Sequence, residues 1–285
     1  MIRLIAASLF CACFACHSCR PAGERERSVS VSILPQRYFV ERVAGDFVKV
    51  NVMIPPGANP AACDLTPGQL KNLYNSSIYF AVGYLPFEVT HLYPLLEEMK
   101  GIVLVNHSEG EALLEGEAGG GHDHLVDPHI WMSPARAKRM AATVARVLGE
   151  RFPARKELFA RNLEQLNVEI DSIDGVARRV TSGKKNKLFL IYHPALTYFA
   201  ADYGMRQVAI EHEGKEPSPV HLKAIVDTCR SRGIKTVFIQ NQFDEQNARA
   251  VAGEIGGRVI AIDPLNPDWK GEMRSLLSII EHQME

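Results

Sequence analysis

Three residues, His129, His193 and Asp263, have types and positions that suggest chemistry. Each follows an apolar run that we predict to be a β-strand, in a chain where strands alternate with helices. In open α/β sheets the ligand crevice lies outside the carboxyl ends of the strands, so the three side chains could meet in one cleft. Imidazole nitrogens and carboxylate oxygens are ligands that Zn²⁺ takes in proteins. The pattern therefore predicts a metal site.

Each of these residues also has a plainer interpretation. A single histidine in a loop is more often structural or solvated than a ligand, and a carboxylate after a strand, such as Asp263, serves equally well as a helix cap. Asp127, two residues before His129, could hydrogen-bond the imidazole and fix its tautomer. The three predicted ligands together are more specific than any one of them.

The first nineteen residues indicate a targeting signal. Arg3 precedes an apolar stretch, Leu4 to Ala15, that is too short to span a bilayer but suits a signal peptide. Small residues precede Cys16 and Cys19, as in a bacterial lipoprotein signal, so we predict residues 1–19 to be a lipoprotein-type signal with Cys16 or Cys19 as the lipidated residue. A simple cleaved signal is the alternative. Residues 20–28 (RPAGERERS) are polar and unpatterned, as expected of a tether.

The composition excludes some partners. The formal net charge is −1, so bulk electrostatics give no reason to expect a nucleic acid or another polyanion as partner. Cys63 and Cys229 are the only cysteines after the signal, and they lie in different halves of the chain, so we do not expect a disulfide. We find no HExxH helix, phosphate-binding glycine loop or nucleophile elbow.

The hydrophobic pattern predicts an α/β protein with two lobes, each a small, mostly parallel sheet flanked by helices. Strands alternating with helices imply parallel sheets with right-handed crossovers. We assign residues 29–150 to an N-terminal lobe and residues 184–285 to a C-terminal lobe. Between them, we assign residues 151–183 to a long linking helix. Pro153 interrupts the helical spacing where it could start this helix, and roughly 25 residues at 1.5 Å per residue predict a length of nearly 40 Å.

Several segments carry a resemblance to a known family. They are PPGANPAACDLTP, DPHIWMSP, HPALTYFAADYG, EPSP and the final IDPL. In order and spacing they resemble the signature segments of the metal-specific solute-binding proteins of ABC importers, the ZnuA/TroA-like zinc and manganese family (cluster A-I). The match spans nearly everything after the signal.

The resemblance implies a metal held between two lobes. His129 would come from the first lobe, and His193 and Asp263 from the second. Histidine at the position of His193 favours Zn²⁺ over Mn²⁺. The family's first ligand is a histidine where this chain has Ala61, so one ligand is missing.

The fourth position would then be filled by water, by Cys63 or Glu211, or by a histidine of the acidic loop between His107 and Val126. We also consider Cys63 as a small core residue, which is the more common role. His122 and His124 in that loop form a candidate accessory metal site; alternatively, they bind nothing.

The resemblance implies the zinc-binding component of an ABC importer, a monomer on the periplasmic side of the cell envelope. A lipid would anchor it to the membrane, and its partners would be the permease and its ATPase in the inner membrane. Two alternatives remain. A zinc hydrolase would use an open coordination position, with Glu211, Glu213 or Glu216 as candidate base. A surface adhesin would keep the fold but bind metal weakly.

Overall fold

The computed structural model describes residues 26–61, 63–116, 126–211 and 217–284. The predicted signal, residues 1–19, and most of the predicted tether lie outside these ranges. Strand β1 begins at Ser28, the last residue of the predicted tether, because Ser28 already pairs with Lys49. None of the helices in the described ranges is long and apolar enough to cross a membrane.

The first lobe is built on a parallel sheet with the strand order β2-β1-β3-β4. Its strands are β1 (Ser28–Val31), β2 (Lys49–Val52), β3 (Ile78–Ala81) and β4 (Val103–Asn106). Its helices are α1 (Leu34–Ala44), α2 (Pro67–Tyr74), a π-helical turn (Glu88–Leu92) that leads into α3 (Tyr93–Glu98), and a 3₁₀ turn (Gly45–Phe47). Helix α2 begins where Thr66 and Gln69 form a reciprocal capping box.

Two long helices lie between the two sheets along the chain. They are α4 (Pro134–Arg151), preceded by a 3₁₀ turn (Ile130–Met132), and α5 (Lys156–Ser182), preceded by a 3₁₀ turn (Pro153–Arg155). Pro153 and the turn that it opens separate the two helices, so α5 begins five residues after the predicted boundary at 151. At 1.5 Å per residue, the 27 residues of α5 span about 40 Å.

The second lobe repeats the parallel arrangement with the order β6-β5-β7-β8. Its strands are β5 (Leu188–Ile191), β6 (Arg206–Ala209), β7 (Thr236–Gln240) and β8 (Arg258–Ile262). Its helices are α6 (Thr197–Asp202), α7 (Pro219–Arg232), α8 (Gln246–Glu254) and α9 (Trp269–Gln283). Two parallel sheets flanked by helices and bridged by a long helix confirm the predicted fold class.

One apolar core runs through both lobes. It includes β1 and β3 of the first sheet, the inner faces of α4 and α5, and residues of the second lobe such as Phe199 and Trp269. A smaller cluster around Leu190 and Val237 fills the opposite face of the second sheet. Because one core is shared, the lobes are packed against each other as well as linked through the chain.

Two tryptophans reinforce this contact. The Trp131 indole Nε1 donates to the Pro264 carbonyl at 2.7 Å, and the Trp269 Nε1 donates to the Trp131 carbonyl at 2.8 Å. Both side chains are buried. The segment before α4 is thus hydrogen-bonded to the loop after β8, so the residues around His129 and those around Asp263 are held at the same interface.

Candidate metal centre

His129 and His193 come together at the interface of the two lobes. Their ring centroids are 5.2 Å apart, and the ring planes meet at 72°. His193 follows β5 after one residue, as predicted. His129 does not follow a strand: it lies just before the 3₁₀ turn Ile130–Met132, and the nearest extended pairing is an isolated bridge between Glu115 and Val126. The strand predicted before His129 is therefore wrong.

Both imidazoles are hydrogen-bonded through Nδ1 to a buried carboxylate. The His129 Nδ1 lies 2.9 Å from Asp127 Oδ1, and the His193 Nδ1 lies 3.0 Å from Glu211 Oε2. A neutral imidazole that donates from Nδ1 keeps the lone pair of Nε2 for a metal ion, and carboxylates commonly orient metal-binding histidines in this way. The pair can thus offer two nitrogen ligands from two lobes.

The Asp127 carboxylate is suited to this task. It is almost fully buried, which raises its pKa, but the attraction of the His129 imidazolium, where that ring is protonated, and the hydrogen bonds from His129 and Thr197 outweigh that effect. The pKa of Asp127 is therefore lowered, and the carboxylate stays ionised as the acceptor for the imidazole N–H.

Aromatic side chains limit the rotation of both rings. His193 stacks on Phe243 with centroids 5.1 Å apart and planes at 22°, and His129 lies against Trp131 at 5.1 Å. The His193 main chain is fixed as well, because the Gln240 side-chain amide accepts from His193 N–H at 3.2 Å and donates to the His193 carbonyl at 2.7 Å. Both imidazoles are therefore held in defined orientations.

Asp263 lies directly after β8, at the same edge of the second sheet as His193. Its Oδ1 accepts from Leu265 N–H at 3.1 Å, and its own N–H donates to Glu272 Oε1 at 2.8 Å. It does not cap α9, since Asp268 accepts from Gly271 N–H at that helix start. Within the described ranges no three imidazole, thiol and carboxylate groups are gathered closely enough to hold an ion. The place of Asp263 in the metal site stays a prediction.

The other predicted ligands take different positions. Glu211 serves as the hydrogen-bond acceptor for His193. Cys63 packs against the apolar core that the lobes share. Burial, followed by the charge of Asp64, raises the pKa of its thiol, which disfavours the thiolate that zinc would take. Cys63 and Cys229 are both free thiols. His122 and His124 lie outside the described residues.

Ala61 is exposed in the loop that follows β2, at the carboxyl end of the first sheet. Its N–H donates to Asn59 Oδ1 at 2.9 Å, which fixes the loop backbone at this position. A methyl side chain supplies no donor atom. The structure thus offers no side-chain ligand at residue 61.

A model of the zinc-uptake complex component A family (ZnuA, periplasmic) matches residues 29–285. The chain belongs to the ZnuA family. Curated ZnuA-like relatives include the zinc-binding lipoprotein AdcA of Streptococcus pneumoniae strain R6, which is 27% identical over 93% of this chain. The chain spans only 55% of the length of that relative. The high-affinity zinc uptake system protein ZnuA of Bacillus subtilis is 24% identical over 89% of this chain and 83% of its own length.

Solved structures agree with the ZnuA assignment. A ZnuA crystal structure superposes with a TM-score of 0.83 and 33% identity, covering 89% of this chain and 97% of the other. A zinc-bound ZnuA variant lacking residues 138–173 of its own sequence gives a TM-score of 0.84 and 32% identity, over 90% of this chain and 98% of that one. The predicted family is therefore confirmed.

Some residues around the site were missed in the sequence. Gln240 is the last residue of the buried strand β7, and His193 and Asp263 lie just beyond the ends of β5 and β8. The pattern of polar residues at strand ends that pointed to His193 and Asp263 could therefore have identified Gln240 as well. Thr197 and Tyr198, which contact Asp127, give no such signal because they lie at the start of a short helix in the other lobe.

Proposed function

We propose that this chain is the extracytoplasmic zinc-binding component of an ABC metal importer. It captures Zn²⁺ between its lobes and delivers the ion to a membrane permease. The observation that carries the proposal is the His129–His193 pair, two imidazoles from different lobes whose Nδ1 atoms are occupied by carboxylates. Family membership and the zinc-binding and zinc-uptake names of the relatives support zinc as the cargo.

In this proposal His129, His193 and Asp263 are the protein ligands, and water completes the shell where the chain has Ala61. Three protein ligands with an exchangeable fourth position bind zinc less tightly than a closed tetrahedral shell. The open shell, with its exchangeable fourth position, suits a carrier that must release its ion to a permease.

We infer that the protein binds and releases zinc without catalysing a reaction. A zinc hydrolase needs a free base beside the metal-bound water. Of the three candidate bases, Glu211 already accepts a hydrogen bond from His193, and Glu213 and Glu216 lie outside the described residues. Asp127 likewise accepts from His129, so both paired carboxylates serve to orient imidazoles. An esterase and peptidase screen on zinc-loaded protein tests this point, and turnover that is lost in His193→Ala would overturn it.

We also propose a lipid anchor at Cys16 or Cys19 and a location on the periplasmic side of the envelope, with the permease and its ATPase as partners and the protein itself a monomer. The lipoprotein names of relatives support the anchor. Mass spectrometry of the mature N-terminus would identify the modified cysteine.

The direct test of zinc binding is calorimetric titration of the metal-free mature chain with Zn²⁺, and with Mn²⁺ for comparison. We expect one Zn²⁺ per chain, tighter binding of Zn²⁺ than of Mn²⁺, and much weaker binding of Zn²⁺ in the His129→Ala and His193→Ala variants. Zinc affinity that is unchanged in both variants would place the site elsewhere. No binding by the wild type would overturn the proposed function and favour the adhesin alternative.

A further inference from the structure

We propose that Thr197 and Tyr198 of the second lobe are positioning residues for His129 of the first lobe. They hold Asp127, and Asp127 holds the imidazole, so the orientation of the first-lobe ligand depends on contact between the lobes. The inference rests on the proposed zinc-binding function and deepens it, because it states how lobe contact and metal affinity are coupled.

Asp127 is the centre of this network. Its Oδ1 accepts from both the main-chain N–H of His129, at 2.7 Å, and the Nδ1 of the same residue. Its Oδ2 accepts from the Thr197 hydroxyl, and its main-chain carbonyl accepts from the Tyr198 hydroxyl at 2.7 Å. Asp127 is only 3% exposed, so bulk water cannot easily replace a lost protein donor.

The hydroxyl of Thr197 is directed towards Asp127 by a third residue. Gln207 Nε2 donates to Thr197 Oγ1 at 2.6 Å, and Gln207 Oε1 is fixed by Leu196 N–H at 3.1 Å. A hydroxyl has a single proton. Because Thr197 accepts from Gln207, its own proton goes to the Asp127 carboxylate, its shortest acceptor.

Tyr198 is fixed from the other side. Its ring packs under the Arg136 guanidinium at 4.3 Å, and its hydroxyl oxygen accepts from Leu114 N–H at 3.3 Å. The side chain is fully buried. Its proton is therefore free to bond the Asp127 carbonyl, and the second lobe holds both the main chain and the side chain of Asp127.

The two imidazoles differ in this respect. His193 is oriented by Glu211 and Gln240, both in its own lobe. His129 is oriented by Asp127, which depends on Thr197 and Tyr198 across the interface. When the lobes separate, Asp127 loses its hydrogen bonds from the second lobe, and the orientation of His129 is no longer supported. The residues that orient His193 stay in place, because they belong to its own lobe. Loss of metal thus begins at the first-lobe ligand.

The test reads the ring nitrogens directly. Long-range ¹⁵N–¹H correlation NMR on the metal-free mature chain, at a pH where histidines are neutral, reports which nitrogen of each imidazole carries the proton. In the wild type we expect the Nδ1–H tautomer at both His129 and His193. In Thr197→Val, which keeps the shape but removes the hydroxyl, we expect a mixture of tautomers at His129 and no change at His193.

Zinc affinity is measured on the same proteins. We expect Thr197→Val to weaken zinc binding about three- to tenfold, the range that the net worth of one hydrogen bond allows. Thr197→Ser, which restores the hydroxyl, should recover the wild-type tautomer and affinity. Thr181→Val is the matched control, because Thr181 is also buried but bonds Ala177 within α5.

The proposal fails if Thr197→Val leaves both the His129 tautomer and the affinity unchanged, or if it alters His193 as much as His129. If Thr197→Val does not fold, Tyr198→Phe is tested instead, because it removes the other hydrogen bond between the lobes. We expect the same changes in the His129 tautomer and in zinc affinity, and the same results would contradict the proposal. A wild-type protein that does not bind zinc overturns the proposed function instead, and the tautomer measurement on metal-free protein distinguishes the two failures.

Discussion

At the residue scale, the properties of the site depend on the ring nitrogens of His129 and His193. Each Nδ1 faces a carboxylate, and each ring is held by an aromatic neighbour, so the Nε2 atoms are the available donors. An imidazole held in this way loses little freedom when it binds a metal.

The first prediction compares His193 with the loop histidines. Because His193 is a direct ligand in the proposed site, His193→Ala should cost more zinc affinity than His122→Ala and His124→Ala combined. A competition assay with a chelator of known affinity measures both losses. Equal losses would show that the loop contributes as much as the interface.

The second prediction concerns the missing ligand. Ala61→His should tighten zinc binding at least tenfold, about 1.4 kcal/mol, and slow zinc release, because a fourth imidazole would close the tetrahedral shell. Pro56→His is the matched control, since it adds an exposed imidazole to the same loop. Unchanged affinity and release rate in Ala61→His would mean that residue 61 does not face the metal, or that another group, with Cys63 the first candidate, already fills that place.

The third prediction concerns His107, a buried histidine stacked on Phe80. Burial lowers the pKa of His107 to about 3, and its Nδ1 has no hydrogen-bond partner among the described residues. In the unfolded chain His107 binds a proton near pH 6.5, whereas in the folded chain it does so only near pH 3. The contribution of this side chain therefore lowers the free energy of unfolding as the pH falls from 6.5 to about 3.

Between pH 7 and pH 5, the free energy of unfolding of the wild type should fall by about 2 kcal/mol more than that of His107→Phe. Phenylalanine keeps the ring stack without the titrating group. Urea unfolding at the two pH values measures the difference, and parallel losses in both proteins would contradict the prediction.

At the element scale, α4 is joined to both lobes through Arg136. Its guanidinium Nη1 lies 3.0 Å from Glu111 Oε2, its Nε lies 3.0 Å from Asp202 Oδ2, and the Arg136 side chain is 6% exposed. Glu111 belongs to the acidic loop of the first lobe and Asp202 ends α6 of the second. The ion pairs thus connect three separate segments beside the Tyr198 ring.

The fourth prediction follows from this burial. Arg136→Met keeps the aliphatic stem but leaves Asp202 without its cation, while Glu111 keeps its ion pair with Arg139. It should lower the free energy of unfolding by about 3 kcal/mol, the lower end of the cost of breaking a buried ion pair. Arg146→Met removes an exposed pair with Glu150 and should cost less than about 1 kcal/mol. Urea unfolding measures both losses. Similar losses in the two variants would contradict the prediction that the buried ion pairs of Arg136 stabilise the fold more than the exposed pair of Arg146.

The elements themselves were largely predictable from the sequence. The alternation of strand and helix patterns predicted a parallel sheet in each lobe, and helical spacing predicted the long helix α5, because these patterns are local in the sequence. The position of His129 was not predictable in this way. The apolar run before Asp127 and Pro128 is only Leu125 and Val126, and His129 is followed by a 3₁₀ turn, Ile130–Met132, in which Trp131 is hydrogen-bonded to Pro264 of the other lobe.

The contacts within the site were partly predictable. The pairing of Asp127 with His129 is local and was anticipated. The role of Glu211 as the partner of His193, and the support of Asp127 by Thr197 and Tyr198, depend on side chains brought together from distant elements, which no local pattern encodes.

At the scale of the whole molecule, the two lobes share one core, and α5 packs against α1, α4 and α9. The cross-lobe bonds of Trp131 and Trp269 add to this contact. This architecture favours a small opening motion over a wide hinge. In the proposed site, whose ligands come from both lobes, a small motion would be enough to disturb metal binding.

The central claim is that this interface holds one Zn²⁺ through His129 and His193. X-ray absorption at the zinc edge, on protein loaded with one equivalent, tests it most directly. We predict only nitrogen and oxygen neighbours at about 2.0–2.2 Å. Two of them should show imidazole scattering, and one imidazole should be lost in His193→Ala. A sulfur neighbour at about 2.3 Å, or a spectrum that His193→Ala leaves unchanged, would contradict the account.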